Sequence, residues 1–410
     1  MDSNTALNQL EQALADDKLT DGAAENIRIW LSEPRYAEYA PQVAEHIERG
    51  QWQALDDAFW TIIPFGTGGR RGKMYPIGSN AINDRTIGES AQGLAAYVVE
   101  HGEGTGPLAC AIAYDTRHRS RHFAELCAEV MVANGFTVYF LDGYRSTPEL
   151  SFAVRYKRCG CGIMVTASHN PPSDNAVKAY WSTGGQLLPP HDKGVIDRVM
   201  NVDEIKRVPF AQAVEDGRVV FCQEEVDREF IAAVVSQAIP GPRDLNVIYS
   251  PLHGVGASAV VPALEADGFE RVELFAPQAE PDGDFPNVPG HVSNPENPAV
   301  FDALIARAKE TGADLVLATD PDCDRIGLAA PLTTAPHAEW RTMTGNQIGV
   351  LLADYVLDSW NRAGCARHRT RGGTSRRPRI APRPSGAVRA RCACPRPRVA
   401  RRGADRSYRG

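Results

Sequence analysis

The sequence predicts an α/β protein of repeated domains behind a helical N-terminal extension, and three observations lead to this prediction. Apolar residues recur at helical spacing through the first 60 residues. Beyond residue 61, short apolar runs alternate with longer amphipathic stretches, as strands alternate with crossover helices. A hydrophobic content of 43% with 23% charged residues is typical of a globular protein. A chain of 410 residues is long enough for several domains.

The N-terminal extension, residues 1–60, is predicted from the segments LNQLEQAL, ENIRIWL and AEHIERGQWQALDDAFW. The first α/β domain follows at residues 61–215. Its strands are predicted at LACAIAYD, FTVYFLD and CGIMVTAS, with RHFAELCAEVMVAN as the crossover helix between the first two. In such sheets, functional groups collect at the carboxyl ends of the strands.

The second α/β domain is predicted at residues 216–335. Its strands are LNVIYSP, RVELFAP and DLVLATD, and its helices are ASAVVPALEADG and PAVFDALIARAKETG. The segment TGNQIGVLLADYVLDSW then predicts the first helix of a third domain, which occupies residues 336–365 and stays incomplete.

The C-terminal segment, residues 366–410, has a different composition from the rest of the chain. It contains 15 arginines, no lysine and a single acid, Asp405, which gives a formal charge of +14 against −21 for the remainder. With so few aliphatic residues it is predicted to be disordered. A basic tail that binds nucleic acid is one interpretation. The lack of lysine argues against it and favours out-of-frame translation of a GC-rich gene.

The chain carries no run of about 18 apolar residues, as a membrane-spanning helix would need, and its first residues lack the basic region followed by an apolar one that is typical of a signal peptide. A cytoplasmic location is therefore expected, with no membrane partner. The nine cysteines form no CxxC pair, so neither a zinc site nor a disulfide framework is predicted.

The first candidate site is TASHNPP, residues 166–172, directly after the strand GIMV. Pro171 and Pro172 disfavour a helix and predict a tight loop from which Ser168 can project into a cleft. The alternative interpretation is a simple polar turn. A serine hydrolase is excluded, because the G-x-S-x-G pattern is missing and an adjacent His169 is no evidence of a triad.

The second candidate site is DPDCDR, residues 320–325, at the end of the strand LVLATD. Three alternating carboxylates can bind one hard cation such as Mg²⁺. A solvated acidic turn is the plain alternative. An EF-hand is excluded, because Arg325 and Pro331 stand where its glycine and glutamate belong. A phosphatase of the haloacid-dehalogenase type, with Asp320 as nucleophile, fits less well, because it needs Thr or Val in place of Asp324.

The third candidate site is FGTGGRRG, residues 65–72, in which glycines such as Gly68 and Gly69 expose backbone N–H groups beside two arginines. This composition suits a phosphate, although it matches neither the Walker nor the dinucleotide-binding pattern. Together, the three sites provide a serine that can carry a phosphoryl group, a cation site and N–H groups that can donate hydrogen bonds to a phosphate. Those are the parts that phosphoryl transfer requires.

These motifs resemble the α-D-phosphohexomutases (phosphoglucomutase/phosphomannomutase), most closely the phosphoglucomutase-2-like branch that contains phosphopentomutases. The resemblance runs from about Trp60 to Trp360 and includes SPLHGVG, TGNQIG and a segment at residues 281–288. It implies four domains, of which the first three share an α/β architecture around a cleft. The third domain is incomplete here and the fourth is absent.

The resemblance also implies the activity, an intramolecular transfer between the 1-position and the 6- or 5-position of a sugar phosphate through a bisphosphate. Ser168 matches the phosphoserine that carries the phosphoryl group. Asp320, Asp322 and Asp324 match the ligands of Mg²⁺, whose shell a phosphoserine oxygen on Ser168 completes. Lys178 matches the general acid/base. Glucose 1,6-bisphosphate or a related sugar bisphosphate is the implied activator.

Three further residues follow from the same resemblance. Arg71 and Arg325 match arginines that pair with phosphate oxygens, and His169 is a second proton carrier. Glucose, mannose and pentose phosphates are the expected substrates.

The sequence departs from the family pattern in several places. Asn175-Ala176 replaces Asn-Gly, Cys323 replaces an alanine, and DTRHRS, residues 115–120, follows D-x-R-x-S-S only loosely. The sugar-binding loop G-E-x-S-G and the distal phosphate loop are missing. The alternative to an active mutase is therefore a non-catalytic chain that at most binds Mg²⁺ or phosphate.

Overall fold

Four short helices, packed around their own apolar core, form the N-terminal extension. The structure is a computed structural model that describes residues 2–66, 69–102, 108–335 and 337–370. Side chains of Asp2 and Thr20 cap the first two helices by accepting backbone N–H bonds. The core is centred on Ile27, Trp30 and Phe59. The helices are α1 (Ser3–Ala15), α2 (Asp21–Ser32), α3 (Ala40–Glu48) and α4 (Trp52–Phe59).

A six-stranded mixed sheet forms the first α/β domain, with the strand order β1-β5-β4-β2-β3-β6. The pairs β2–β3, β2–β4 and β3–β6 are parallel, whereas β1–β5 and β4–β5 are antiparallel. The central strands β2 and β4 are buried along their whole length, as their continuous apolar runs predict. The strands are β1 (Arg70–Lys73), β2 (Ala109–Tyr114), β3 (Thr137–Phe140), β4 (Cys161–Val165), β5 (Asp174–Trp181) and β6 (Val219–Phe221).

Helices cover both faces of this sheet. One face packs on residues of α5, α6 and α8, and the other packs on α7 and on residues at the start of α10. The buried cysteines 110, 127, 159, 161 and 222 are free thiols. The helices are α5 (Asp84–His101), α6 (Ser120–Ala133), α7 (Thr147–Tyr156), α8 (His191–Met200), α9 (Phe210–Glu215) and α10 (Gln223–Val235).

A second, five-stranded sheet has the order β11-β10-β9-β7-β8, with β7 parallel to β8 and β9 and the other pairs antiparallel. The helix α12 lies against β9, and Leu304 and Ala308 of this helix join the core of the sheet. The elements are β7 (Val247–Ser250), α11 (Val260–Ala266), β8 (Val272–Leu274), α12 (Asp302–Thr311), β9 (Leu315–Thr319), β10 (Ile326–Pro331) and β11 (Trp340–Met343).

Each sheet includes one strand beyond the boundary that the sequence predicts. The first sheet continues past residue 215 with β6, and the second continues past residue 335 with β11. Both are short edge strands of three and four residues. Their ladder hydrogen bonds with a neighbour come from the tertiary fold, and the strands are too short for a clear apolar pattern.

The last described element is the helix α13 (Gly345–Thr370), which begins with a reciprocal cap between Thr344 and Gln347. It includes residues 366–370, which the sequence assigns to the disordered segment; the remainder of that segment, 371–410, lies outside the described residues. The described chain divides near residue 355 into a compact unit that ends at Tyr355 and a second unit that begins at Val356. No helix among the described residues is long and apolar enough to cross a membrane.

Candidate phosphoryl-transfer site

The two strand-end loops predicted from the sequence meet in the structure. Ser168 follows β4 of the first sheet, and Asp320 follows β9 of the second. The hydroxyl of Ser168 donates a hydrogen bond of 2.6 Å to Oδ2 of Asp320. Both residues are buried, at 2% and 0% exposure. Two motifs that lie 152 residues apart therefore form one site.

The serine loop holds Ser168 in a left-handed backbone conformation, with φ of 53°. This conformation is uncommon for a residue with a side chain, and it occurs where the surroundings enforce it. The hydroxyl of Thr166 accepts the Ser168 N–H at 2.8 Å, and Asn170 N–H bonds to Ala167 O. The loop thus aims the Ser168 hydroxyl away from its own strand and towards the second sheet.

His169 lies beside the Ser168 hydroxyl, with Nδ1 3.3 Å from Ser168 Oγ. Burial lowers the pKa of His169, and the positive charges of Arg325 and Arg71 lower it further. The imidazole is therefore neutral near pH 7, and a neutral ring can accept a proton.

The aspartate loop is built around Asp320, whose Oδ1 accepts the backbone N–H groups of Asp324 and Arg325 at 3.1 and 3.0 Å. Burial raises the pKa of Asp320 well above its usual range, and the carboxylates of Asp322 and Asp324 raise it further. Oδ2 of Asp322 accepts the hydroxyl of Thr147 at 2.7 Å. The loop concentrates negative charge that a cation would offset.

The three carboxylates fit a divalent metal ion. One oxygen each from Asp320, Asp322 and Asp324 lies within 4.8 Å of the others. Oδ1 of Asp322 is buried and has no hydrogen-bond partner among the described residues, as expected of an atom placed to bind a ligand. Carboxylate oxygens are the donors that Mg²⁺ prefers. The predicted metal residues are thus brought together in a geometry that can bind a metal.

Lys178 reaches the same carboxylates from β5, where it pairs across the ladder with Met164 of β4. Its Nζ donates to Oδ2 of Asp322 at 2.8 Å and to Oδ2 of Asp324 at 3.5 Å. Burial works to lower the pKa of Lys178, but the two aspartates outweigh it, so the pKa is raised. Lys178 is therefore a protonated acid next to the aspartate loop.

The glycine–arginine segment lies against the strand that carries Lys178. Gly69 has a φ of +94°, and a Cβ on it would stand 2.8 and 2.9 Å from Val177 C and Lys178 Cα. Only glycine fits this approach. Gly68, the other glycine predicted to bind phosphate, lies outside the described residues. Gly69 therefore brings this backbone beside the lysine.

Of the two arginines in this segment, only the predicted one is exposed. Arg71 donates to Asn170 Oδ1 of the serine loop at 3.3 Å. Arg70 is buried and bonds to Glu89 at 2.9 Å, because successive side chains of β1 point to opposite faces. Arg325 is 39% exposed, with Nε 3.9 Å from Asp324 Oδ1. Arg71 and Arg325 can therefore contact a phosphate, whereas Arg70 has a structural role.

Two residues of the site escape sequence reasoning. Thr147, the first residue of α7, bonds to Asp322 across the boundary between the two sheets. Arg117, in the loosely matching DTRHRS segment, donates to backbone carbonyls of the serine loop. That partial match is the one signal that could have identified Arg117. No sequence motif around Thr147 indicates its role, because its hydrogen-bond partner Asp322 is 175 residues away.

The SPLHGVG motif packs against the backbone of the aspartate loop at Pro321. A Cβ on Gly254 would lie 2.5 Å from Pro321 Cα, so a larger residue would push the loop away. The backbone N–H of Val255 donates to Pro321 O at 2.9 Å. The motif therefore contributes a close backbone contact to the site.

Comparison with known proteins identifies the family of the two α/β domains. The family model for phosphoglucomutase/phosphomannomutase α/β/α domain I matches residues 63–206, and the model for domain II matches residues 228–332. The chain belongs to the phosphoglucomutase/phosphomannomutase family. The family predicted from the sequence motifs is therefore confirmed.

The chain aligns with only part of the length of each relative. A phosphoglucomutase of Staphylococcus epidermidis is 36% identical over 301 residues, covering 72% of this chain and 53% of that protein. A phosphoribomutase of Saccharomyces cerevisiae is 32% identical over 355 residues, covering 82% and 56%. A solved family member from Burkholderia thailandensis shares the fold, with a TM-score of 0.53 over 67% of this chain and 55% of that one at 24% identity. The chain spans about half the length of these relatives.

Proposed function

We propose that this chain carries out the phosphoserine chemistry of a sugar-phosphate mutase, which interconverts sugar 1-phosphate and 6- or 5-phosphate. The observation that carries the proposal is the hydrogen bond from Ser168 to Asp320, with Lys178 bound to the neighbouring Asp322. It unites a nucleophile, a carboxylate site and an acid at one point.

The transfer from a sugar bisphosphate to the serine follows from these positions. The phosphorus–oxygen bond to the sugar breaks as a bond to Ser168 Oγ forms. The neutral imidazole of His169, 3.3 Å from that oxygen, accepts the serine proton. Lys178, protonated in its pair with Asp322, donates a proton to the departing sugar oxygen. The reverse steps transfer the phosphoryl group to the other end of the sugar.

Mg²⁺ is the metal that we assign to the carboxylates of Asp320, Asp322 and Asp324. When bound, it would withdraw charge from the phosphoryl oxygens. The backbone at Gly69 and the side chains of Arg71 and Arg325 would bind the remaining phosphate oxygens, since guanidinium groups pair well with phosphate.

Glucose, mannose and pentose monophosphates are the proposed substrates, with glucose 1,6-bisphosphate as the phosphoryl donor that charges Ser168. The names of the relatives, phosphoglucomutase and phosphoribomutase, agree with this class. A phosphatase with Asp320 as nucleophile fits poorly, because Oδ1 of Asp320 accepts two backbone N–H groups and Oδ2 accepts the Ser168 hydroxyl.

The second candidate is a chain that binds Mg²⁺ or phosphate without turnover. The observation behind it is the coverage of only 53–56% of the relatives' length. The second transfer requires a group that holds the distal phosphate and so positions the bisphosphate.

Two measurements separate these candidates. The chain is incubated with Mg²⁺ and glucose 1,6-bisphosphate, and phosphorylation of Ser168 is followed by intact-protein mass spectrometry. Conversion of glucose 1-phosphate is measured in a coupled dehydrogenase assay. We expect Ser168→Ala to abolish phosphorylation. Ser173→Ala, on the exposed end of the same loop, is the matched control and should leave it unchanged.

Phosphorylation together with turnover would support a mutase. Phosphorylation without turnover would support the carrier chemistry in a chain that lacks the second step. A wild-type chain that binds Mg²⁺ but is never phosphorylated would leave the non-catalytic candidate and contradict the proposed function.

A further inference from the structure

We propose that Arg117 is the positioning residue of the carrier serine, holding the serine loop by its backbone so that the Ser168 hydroxyl faces Asp320. The inference rests on the proposed function, because it concerns the placement of the phosphoryl carrier. In this role Arg117 contacts neither the phosphoryl group nor the metal.

The guanidinium of Arg117 bonds to four carbonyl oxygens, three in the loop and one at Asp174, the first residue of β5. Nη1 donates to Pro171 O at 2.7 Å and to Asp174 O at 3.1 Å. Nη2 donates to the carbonyls of Ser168 and Asn170. These carbonyls span both ends of the loop, and a planar fork of donors can reach all of them at once. A lysine ammonium, with three donors on one atom, cannot reproduce the pattern.

Burial makes this arrangement rigid. Arg117 is 3% exposed and Asp115 is fully buried, and Arg117 Nε lies 3.5 Å from Asp115 Oδ2. Asp115 Oδ1 in turn accepts the Arg117 backbone N–H and the hydroxyl of Ser120. Asp115 therefore holds Arg117 both at its backbone N–H and next to its guanidinium. The guanidinium in turn restrains the carbonyl groups of the serine loop.

The same segment also contacts the domain that carries the aspartates. The Arg117 guanidinium lies over the ring of Phe285, 5.2 Å from its centroid, and Phe285 is fully buried. Next to it, His118 Nε2 lies 2.7 Å from Asp284 Oδ1. Arg117 thus connects the serine loop to the second domain, where Asp320 resides.

These contacts predict which kinetic quantity depends on Arg117. Its bonds go to backbone oxygens, while Arg71 and Gly69 are the groups placed to bind the donor. A displaced loop moves the nucleophile relative to a donor that is still bound. Misplacement by about 1 Å lowers a transfer rate ~100-fold with little change in binding.

The test measures the rate of Ser168 phosphorylation against the concentration of glucose 1,6-bisphosphate at saturating Mg²⁺, for wild type and Arg117→Lys. We expect the maximal rate to fall ~100-fold, with the half-saturating concentration unchanged within about threefold. An unchanged maximal rate, or a change in the half-saturating concentration alone, would overturn the inference.

Arg243→Lys is the matched control. Arg243 also donates to four backbone carbonyls, those of Ile239, Gly241, Pro242 and Asp267, but it lies outside the site. We expect this variant to lose thermal stability while it is phosphorylated at the wild-type rate. A fall equal to that of Arg117→Lys would show that a general loss of stability, rather than positioning, is being measured.

Chemical rescue distinguishes positioning from folding. In Arg117→Ala, free guanidinium ion should restore a part of the maximal rate that ethylammonium does not restore. If the Arg117 variants do not fold, Phe285→Leu, which removes the ring under the guanidinium, should lower the maximal rate a few-fold. An unchanged rate there would overturn the inference. A wild-type chain that is not phosphorylated would contradict the proposed function instead.

Discussion

The serine loop and the aspartate loop are similar in position but differ in what holds them. Each follows a buried strand and contains one residue with a side chain at positive φ, Ser168 at 53° and Cys323 at 55°. The aspartate loop is fixed locally, because Asp320 accepts N–H groups of its own loop. The serine loop depends on Arg117, 51 residues away from Ser168. The serine loop therefore takes bonds from one distant side chain, whereas the aspartate loop is fixed mainly by its own N–H groups, with a further backbone contact from SPLHGVG.

The largest expected effect comes from breaking the aspartate loop. Asp320→Asn removes a carboxylate from the metal site, so phosphorylation of Ser168 should fall by ~1000-fold or more. Mg²⁺ should raise the melting temperature of the wild type and not of this variant, which thermal unfolding with and without Mg²⁺ checks. The exposed Asp302→Asn is the control. Full activity of Asp320→Asn would refute the metal assignment.

The serine loop's own local bond can be removed by Thr166→Val, which leaves the buried N–H of Ser168 without an acceptor. An unpaired buried N–H costs about 1–3 kcal/mol, measured as the free energy of unfolding in urea. Thr183→Val removes a similar bond to Gly185 N–H on the surface and should change stability by less than about 0.5 kcal/mol. Equal effects would mean that the serine loop gains nothing from this local bond.

Thr147→Val tests the bond between the two sheets. It removes the hydroxyl that donates to Asp322 but preserves the shape, so the free energy of unfolding should fall by about 1 kcal/mol. Mg²⁺ affinity, measured by calorimetry, should fall about tenfold, since groups that orient metal ligands contribute on this scale. Thr311→Val, at an exposed helical position, serves as the control. An unchanged Mg²⁺ affinity would limit Thr147 to a structural role.

The smallest effect is expected for Cys323→Ala. The backbone, rather than the side chain of Cys323, determines the shape of the aspartate loop, because the fixing bonds come from the N–H groups of Asp324 and Arg325. We expect phosphorylation within about twofold of wild type and a loss of stability near 1 kcal/mol for the lost buried atom. A tenfold loss of activity would show that the loop also depends on its side chains.

The sequence predicted those parts of the site that are encoded locally. Ser168 and the three aspartates stand within short motifs at strand ends, where apolar runs reveal the strands. Lys178 is assigned from the family resemblance and lies within β5. Thr147 acts through a partner 175 residues away, so no local pattern reports it. Arg117, 51 residues from Ser168, is marked only by the loose match of the DTRHRS segment.

The fold follows the same division. The long apolar runs predicted the central strands. The short edge strands β6 and β11 depend on pairing with a neighbouring strand, so the predicted boundaries left each of them outside the domain whose sheet it joins. The predicted domain limits at 215 and 335 remain approximate for that reason.

The bonds from Thr147 and Lys178 to Asp322 have a consequence for how a substrate enters. Together with the Ser168–Asp320 bond, they join the two sheets at the proposed point of phosphoryl transfer. The serine loop and the aspartate loop should therefore open as one cooperative unit, so that their backbone amides become protected from or exposed to hydrogen exchange together. If the proposed function holds, a sugar phosphate would meet a preformed cradle for its reacting group, and discrimination between one sugar and another would arise from contacts outside that cradle.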